Sequence, residues 1–149
     1  MINFNSSALY VLPSYYVQQV LSQTLGQHLV RMTLQLPSNF SSNSYLNLTA
    51  SMESRRAGPE ERVLVHLHVI NYREVPSALF FELEGFPEFH STVEVTTLWA
   101  PFGNVGNDLE HPQRVHPAQS QLTVPTPQRF EYTVKEWSLT VLTLSSLYS

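Results

Sequence analysis

The chain of 149 residues has no cysteine, a single lysine (Lys135) and only five glycines, each standing alone. Without cysteine there are no disulfides, no thiolate metal ligands and no cysteine nucleophile. Eight basic residues face twelve acidic ones, for a net charge of -4. No cluster of Lys and Arg is present to neutralise a phosphate backbone, so no nucleic-acid partner is expected. Scattered glycines exclude a phosphate-cradling loop. No apolar run approaches the roughly 20 residues of a membrane helix, so no membrane role is expected. The opening MINFNSSALYVLPSYY has neither the basic n-region nor the apolar h-region of a signal peptide. Charged residues make up 13% and hydrophobic ones 42%. Disorder needs low hydrophobicity with high net charge, so this is a folding sequence, long enough for one domain with a sizeable core.

What is present divides at Gly26. Before it, Tyr16, Val17, Val20, Leu21 and Leu25 recur at spacings of three and four, which predicts a helix over residues 14–25. Ser14 suits its N-cap, and Gly26 a positive-φ C-terminal position. After Gly26 the period falls to two. Val30–Leu36, Leu46–Glu53, Val63–Ile70, Leu79–Glu84, Val93–Thr97, Arg129–Val134 and Ser138–Thr143 alternate apolar with polar residues, each the signature of a half-buried strand. Turn residues separate them at Pro37-Ser38-Asn39, Ala57-Gly58-Pro59, Glu74-Val75-Pro76, Gly85-Phe86-Pro87 and Pro125-Thr126-Pro127. Seven or eight short strands of this kind predict an antiparallel β-sandwich. Ala100 to Ala118, with Pro101, Gly103, Gly106, Pro112 and Pro117, is the one long irregular stretch, and such a loop is functional or docked against something.

No catalytic constellation emerges. His66 and His68 share a strand face, but two ligands do not make a metal site, and they are expected as ordinary residues on the sheet's outer face; no metal and no cofactor is expected. His111 and His116 lie in the long loop near Asp108 and Glu110 with nothing to fix them against His66. Glu82 and Glu84 sit two residues apart, about 7 Å along a strand, which is permissive for a glycosidase pair. Their alternation with Leu79, Phe81 and Leu83 reads more simply as a solvated face. No G-x-S-x-G elbow carries a serine. Trp99 and Trp137 could serve a carbohydrate-binding module, with Phe86 and Phe89 nearby, or fill the core and its rim. Asn5, Asn39 and Asn47 each begin a glycosylation sequon.

Three stretches together resemble family 51 α-L-arabinofuranosidases. Ile2-Asn3-Phe4-Asn5-Ser6-Ser7, then Tyr10, then Pro13-Ser14-Tyr15-Tyr16-Val17-Gln18, is similar to that family's F-N-S-S and P-S-Y-Y/W-V-Q, where the last strand and loop of the catalytic barrel enter the last helix. Val69-Ile70-Asn71-Tyr72 resembles the V-V-N that ends a strand of the C-terminal sandwich. Asn107-Asp108-Leu109-Glu110-His111-Pro112-Gln113-Arg114-Val115-His116-Pro117 resembles N-S-F-x-N-P-x-x-V-x-P, and is followed by a closing strand pair that resembles the end of the family's pattern. The order of all three is the family's order.

The resemblance implies a mainly β, jelly-roll-like antiparallel sandwich preceded by one short α-helix left from a (β/α)8 barrel. Residues 1–26 would be the barrel's tail and residues 27–149 the C-terminal sandwich. The parent reaction would be retaining hydrolysis of terminal arabinofuranosyl groups from plant arabinan and arabinoxylan, with both catalytic glutamates on earlier barrel strands outside this chain. Asn5, Ser6, Ser7 and Tyr10 would be remnants of the substrate loop. Phe102, Asn107, Pro112, Val115 and Pro117 would dock the sandwich on the barrel, which is the implied partner. An extracellular location follows from the same resemblance. The family's sandwich also takes in chain from before the barrel, so an unpaired strand edge and a tendency to associate are expected. A helix face (Tyr16, Val17, Val20, Leu21) without a barrel to cover it is expected to be loosely held. The sequence departs from the family at Ala8, Val11 and Leu12, where polar and Gly-Thr positions are usual, at Asp108 and His111, and at Val134-Lys135-Glu136-Trp137, which stands for L-P-P-H. The reading from another class is a free-standing carbohydrate-binding sandwich.

Overall fold

In the computed structural model, which describes residues 2–4, 7–35, 46–57 and 60–147, apolar alternation has become a two-layer sandwich. The larger layer is a six-stranded antiparallel sheet. Its strands, in spatial order, are β3 (His28–Leu29), β4 (Leu46–Ala57), β5 (Glu60–Asn71), β10 (Ser138–Ser145), β7 (Thr92–Trp99) and β8 (Pro117–Thr123). The smaller layer is the pair β6 (Ser77–Glu82) and β9 (Arg129–Val134). A separate hairpin joins β1 (Ile2–Phe4) to β2 (Leu9–Val11) and leads into α1 (Pro13–Gln23).

The period of two decides which side chains meet. On β5 and β10, Val65, Leu67, Val69, Leu142 and Leu144 point into the space between the layers. They meet Phe81 and Phe130, which sit opposite each other across β6 and β9 with rings stacked at 5.2 Å. The other face of the six-stranded sheet carries Leu98, Leu139 and Val141, and α1 lies on them through Val20, with Tyr16, Val17 and Leu21 alongside. The helix face expected to lack a cover is therefore packed on the chain's own sheet, and Val20 is only 3% exposed.

The helix boundaries differ from expectation for local reasons. Leu12 is the N-cap and Pro13 the first helical residue, so Ser14 lies inside the first turn. A proline there loses no hydrogen bond, since the first N–H groups have no partner in a helix. The helix stops at Gln23, and Gly26 is absent from the positive-φ residues. Gly26 is needed instead for closeness: a Cβ there would stand 2.5 Å from the carbonyl oxygen of Met52 on β4.

The strand expected over Val30–Leu36 is reduced to the two-residue β3 just before it, extended by one bond from the Val30 N–H to the Ala50 carbonyl. Residues 31–35 are exposed and unladdered, and Leu36 lies outside the described residues. The stretch before the helix, expected by resemblance as a strand and loop, forms the β1–β2 hairpin. One strand went unread. Strand β8 reads Pro-Ala-Gln-Ser-Gln-Leu-Thr and is mostly exposed because it pairs on one side only, with β7. Its start at Pro117 shortens the long loop.

Candidate functional site

The residues singled out from the sequence fall in three places. Asn5, Ser6 and Asn39 lie outside the described residues. Ser7 is exposed, and Tyr10 is half-buried with its hydroxyl accepting a bond from Asn3 across the β1–β2 pair. Asn47 is exposed on the outward side of β4. Glu82 is exposed at the end of β6, paired with Arg129 at 2.9 Å, and Glu84 lies past the strand's end. These two carboxylates face solvent, without the enclosure that tunes an acid and a nucleophile.

The long loop is knit to its own chain. Asn107, buried, donates from Nδ2 to the carbonyls of Val11 and Val115, and its Oδ1 accepts the Val115 N–H at 2.7 Å. One side chain thus ties β2 to the start of β8. Asp108 accepts the His111 N–H at 2.7 Å and pairs with Arg114 at 3.1 Å. The His111 N–H, with Arg114 as a lesser contributor, holds the Asp108 carboxyl below its usual range. Val115 is buried beneath α1, Pro117 is half-buried and Pro112 is exposed. Phe102, also assigned to docking, is 66% exposed.

His66 and His68 do lie on the outer face of the six-stranded sheet, yet both are buried, contrary to the expectation of ordinary outer-face residues. His66 meets Thr143 at 2.9 Å and Glu53 at 3.4 Å. His68 meets Thr24, just past α1. Thr24 donates its one hydroxyl proton to the Val20 carbonyl, so it accepts from Nε2–H of His68 and leaves Nδ1 unprotonated. That Nδ1 has no partner among the described residues. Burial lowers the pKa of both imidazoles, with His66 depressing His68 further. Ser51 completes this latch by accepting the Gly26 N–H and donating to the Thr24 carbonyl. Among the described residues no three His, Asp or Glu side chains gather as a metal set.

Asn71, not considered as a site from its side chain, is 1% exposed. It donates to the carbonyls of Val75 and Lys135 and accepts the Arg73 N–H, pinning two turns at one end of the sandwich. Its only sequence signal is its place at the end of a strand within Val69-Ile70-Asn71-Tyr72.

Two openings remain. A groove of about 970 Å³ runs along β6, between it and residues 30–35, and reaches Leu46, Val65 and Leu67 of the core. Among the described residues β6 pairs only with β9, so the edge beside this groove has no strand partner. A cleft of about 300 Å³ lies at the opposite side of the sheet, beside Trp99, Phe102 and Trp137. Phe86 and Phe89, the other rings a sugar platform would use, pack together in the core, with Phe89 4% exposed.

A family model described as alpha-L-arabinofuranosidase C-terminal domain matches residues 1–138. No curated protein matches the chain. Among solved structures it is similar to an α-L-arabinofuranosidase of Thermotoga maritima in an arabinose complex, at 23% identity and a TM-score of 0.77 over 99% of this chain and 31% of that one. It is also similar to a thermostable family 51 α-L-arabinofuranosidase of Thermotoga petrophila, at 22% identity and a TM-score of 0.76 over 95% of this chain and 31% of that one. A family 51 arabinofuranosidase of Xanthomonas axonopodis follows at 18% identity and 0.72, over 97% of this chain and 28% of that one. At these identities the likeness concerns the fold. The chain spans less than a third of the length of each.

Proposed function

The chain belongs to the α-L-arabinofuranosidase C-terminal domain family, and from that premise we propose that it is the accessory β-sandwich of a retaining arabinofuranosidase whose catalytic (β/α)8 barrel lies outside it. The sandwich buttresses that barrel. The parent enzyme releases terminal arabinofuranosyl groups from arabinan or arabinoxylan, and a plant cell-wall substrate places it outside the cell.

The observation that carries this reading is the open edge of β6. Among the described residues two strands cover a six-stranded sheet, and the uncovered part of the inner face lines a groove beside strand backbone that none of them pairs. A free strand edge beside a groove is a template for another strand. Chain from before the barrel fits that place. A free-standing carbohydrate module is not favoured, because Phe86 and Phe89 are part of the core.

The test has two arms. The isolated chain is assayed on an aryl α-L-arabinofuranoside, with no hydrolysis expected. The reading frame upstream of Met1 is sequenced and the continuous polypeptide assayed in the same way, with hydrolysis expected. Turnover by the isolated chain that follows the protein through repurification overturns the accessory role. A continuous polypeptide with no arabinofuranosidase activity overturns the parentage.

A further inference from the structure

The cleft beside Trp99 lies across the sheet from the β6 groove, and Phe102, Gly103, Val105 and Val115 of the long loop form part of its lining. Its floor is the apolar outer face of the sheet, with Ile70, Leu98 and Leu139, and Pro13 and Val17 of α1 form one wall. Its rim is aromatic: Phe102 is 66% exposed, Tyr72 49% and Trp99 36%. At about 30 Å³ per water, 300 Å³ holds about ten waters against mostly apolar walls. Exposed Trp, Tyr and Phe around an apolar pocket are the composition of an interface centre.

Three details show that the cleft is built. Trp137 has φ +46, the one non-glycine residue at positive φ among the described residues. Strain of that kind persists only where surrounding structure holds it, and it concentrates at binding sites. The indole lies so close to Gly103 that a Cβ there would stand 2.9 Å from the ring. The Lys135 ammonium sits 4.8 Å from the centre of the Trp99 ring, steadying its face.

Asn71 and Ser138, which line the cleft, are already engaged. Asn71 uses both amide protons and its carbonyl on the turns, and Ser138 donates to the Lys135 carbonyl. A sugar ring needs convergent free donors and acceptors, and the cleft offers an apolar occupant a better match.

We infer that this cleft is a socket for apolar side chains presented by the catalytic domain, and that it, more than residues 108–114 of the loop, anchors the two domains. This rests on the accessory-domain reading. The occupant is chosen because more than two thirds of each matched structure lies outside this chain. The socket is also particular to this sequence, since Trp137 stands where the family pattern resembled above carries His.

Hydrogen exchange followed by mass spectrometry tests it, on the 149-residue chain and on the continuous polypeptide that includes the upstream segment. Amides of residues 98–104 and 135–139 are expected to exchange at least tenfold more slowly in the longer polypeptide, with residues 108–114 unchanged. Phe102→Ser, at an exposed site, is expected to abolish that difference while arabinofuranoside hydrolysis persists. Trp137→Gly, which accepts the positive φ, is expected to do the same. Protection confined to 108–114, or protection unaltered by both variants, overturns the inference while leaving the parentage intact. An inactive longer polypeptide, or none encoded, removes the parentage and the inference with it. Protection in the short chain that rises with its concentration, or with added arabinose, assigns the cleft to a second copy or to sugar and overturns it as well.

Discussion

The two faces of the six-stranded sheet are buried by different means. The inner face is buried by aliphatic and aromatic side chains, except where the β6 groove reaches Leu46, Val65 and Leu67, so its burial is apolar. The outer face is half apolar, where α1 covers Leu98, Leu139 and Val141, and half polar, where Thr24, Ser51, His66 and His68 are enclosed together. The apolar face gains stability in proportion to area removed from water. The polar latch gains little on balance and costs much when one partner changes, because a buried group without a partner keeps its desolvation penalty. The inner face therefore sets the global stability, and the latch sets how α1 is held.

Leu142→Ala should break the inner face most. Leu142 is fully buried between β5 and β7, and such truncations leave a cavity as well as losing transfer free energy. A loss of about 3 kcal/mol is expected in chemical denaturation, with all amides exchanging faster together. A loss under about 1 kcal/mol would mean that the layers are not tightly packed. Val20→Ala on the outer face should cost about 2 kcal/mol, from two methylene equivalents and a small cavity. Its effect on exchange should be greatest in α1.

Gly26→Ala separates the faces more sharply. The added methyl would meet the Met52 main chain, which cannot swing away like a side chain. Residues 24–28 must lift from β4, breaking the bonds from Gly26 to Ser51 and from Ser51 to Thr24. A loss of about 2 kcal/mol is expected, within the range for single overpacking changes. Amides of 14–25 should lose protection while β5 and β10 keep theirs. Equal loss in all elements would show that the latch and the core unfold as one unit, and the contrast between the faces would fall.

Much of this contrast was legible and part was not. Alternation in β4, β5 and β7 identified the inner face residue by residue, since a period of two leaves no choice once one face is apolar. In β10 both faces are apolar, so Leu139 and Val141 read as the core face, whereas they lie under α1 and Leu142 and Leu144 point inward. The same alternation placed His66 and His68 outward correctly, but polar residues on an outer face carry no signal of a second cover. That cover comes from α1 and the residues after it, whose position depends on Gly26 touching a strand twenty-six residues away. β8 was hidden because an edge strand with both faces wet needs no apolar pattern. The buried bonds of Asn71 and Asn107 were hidden for a related reason: asparagine at a turn is ordinary, and only the fold shows which carbonyls it reaches. The helix was legible as a helix, and its support on the sheet was not, because the resemblance directed its apolar face toward a barrel.

The smallest expected effect concerns the latch under acid. His66 and His68 are held neutral by burial, so both pKa values lie below the ordinary 6.5. In the unfolded chain both take protons near 6.5, and the unfolded state then binds more protons than the folded one. Stability rises with pH under that condition. The contribution is complete above about pH 6.5 and is lost as pH falls from there through the lowered folded values, at a slope of up to about 1.4 kcal/mol per pH unit for each histidine. Protonating His68 would place a proton on its unpartnered Nδ1, facing no acceptor, and would add charge beside His66. Around His66 stand Glu53, Arg55 and Glu94, and the Glu53 carboxylate partly offsets its burial, so His68 should dominate the loss. Denaturation midpoints measured from pH 7.5 down to 5 should fall for the wild type and fall less than about half as steeply for His68→Gln. Exchange in α1 should accelerate before exchange in β5. An acid limb equally steep in the variant would mean that His68 does not titrate against folding, and that the latch is held by Ser51 and Gly26 alone.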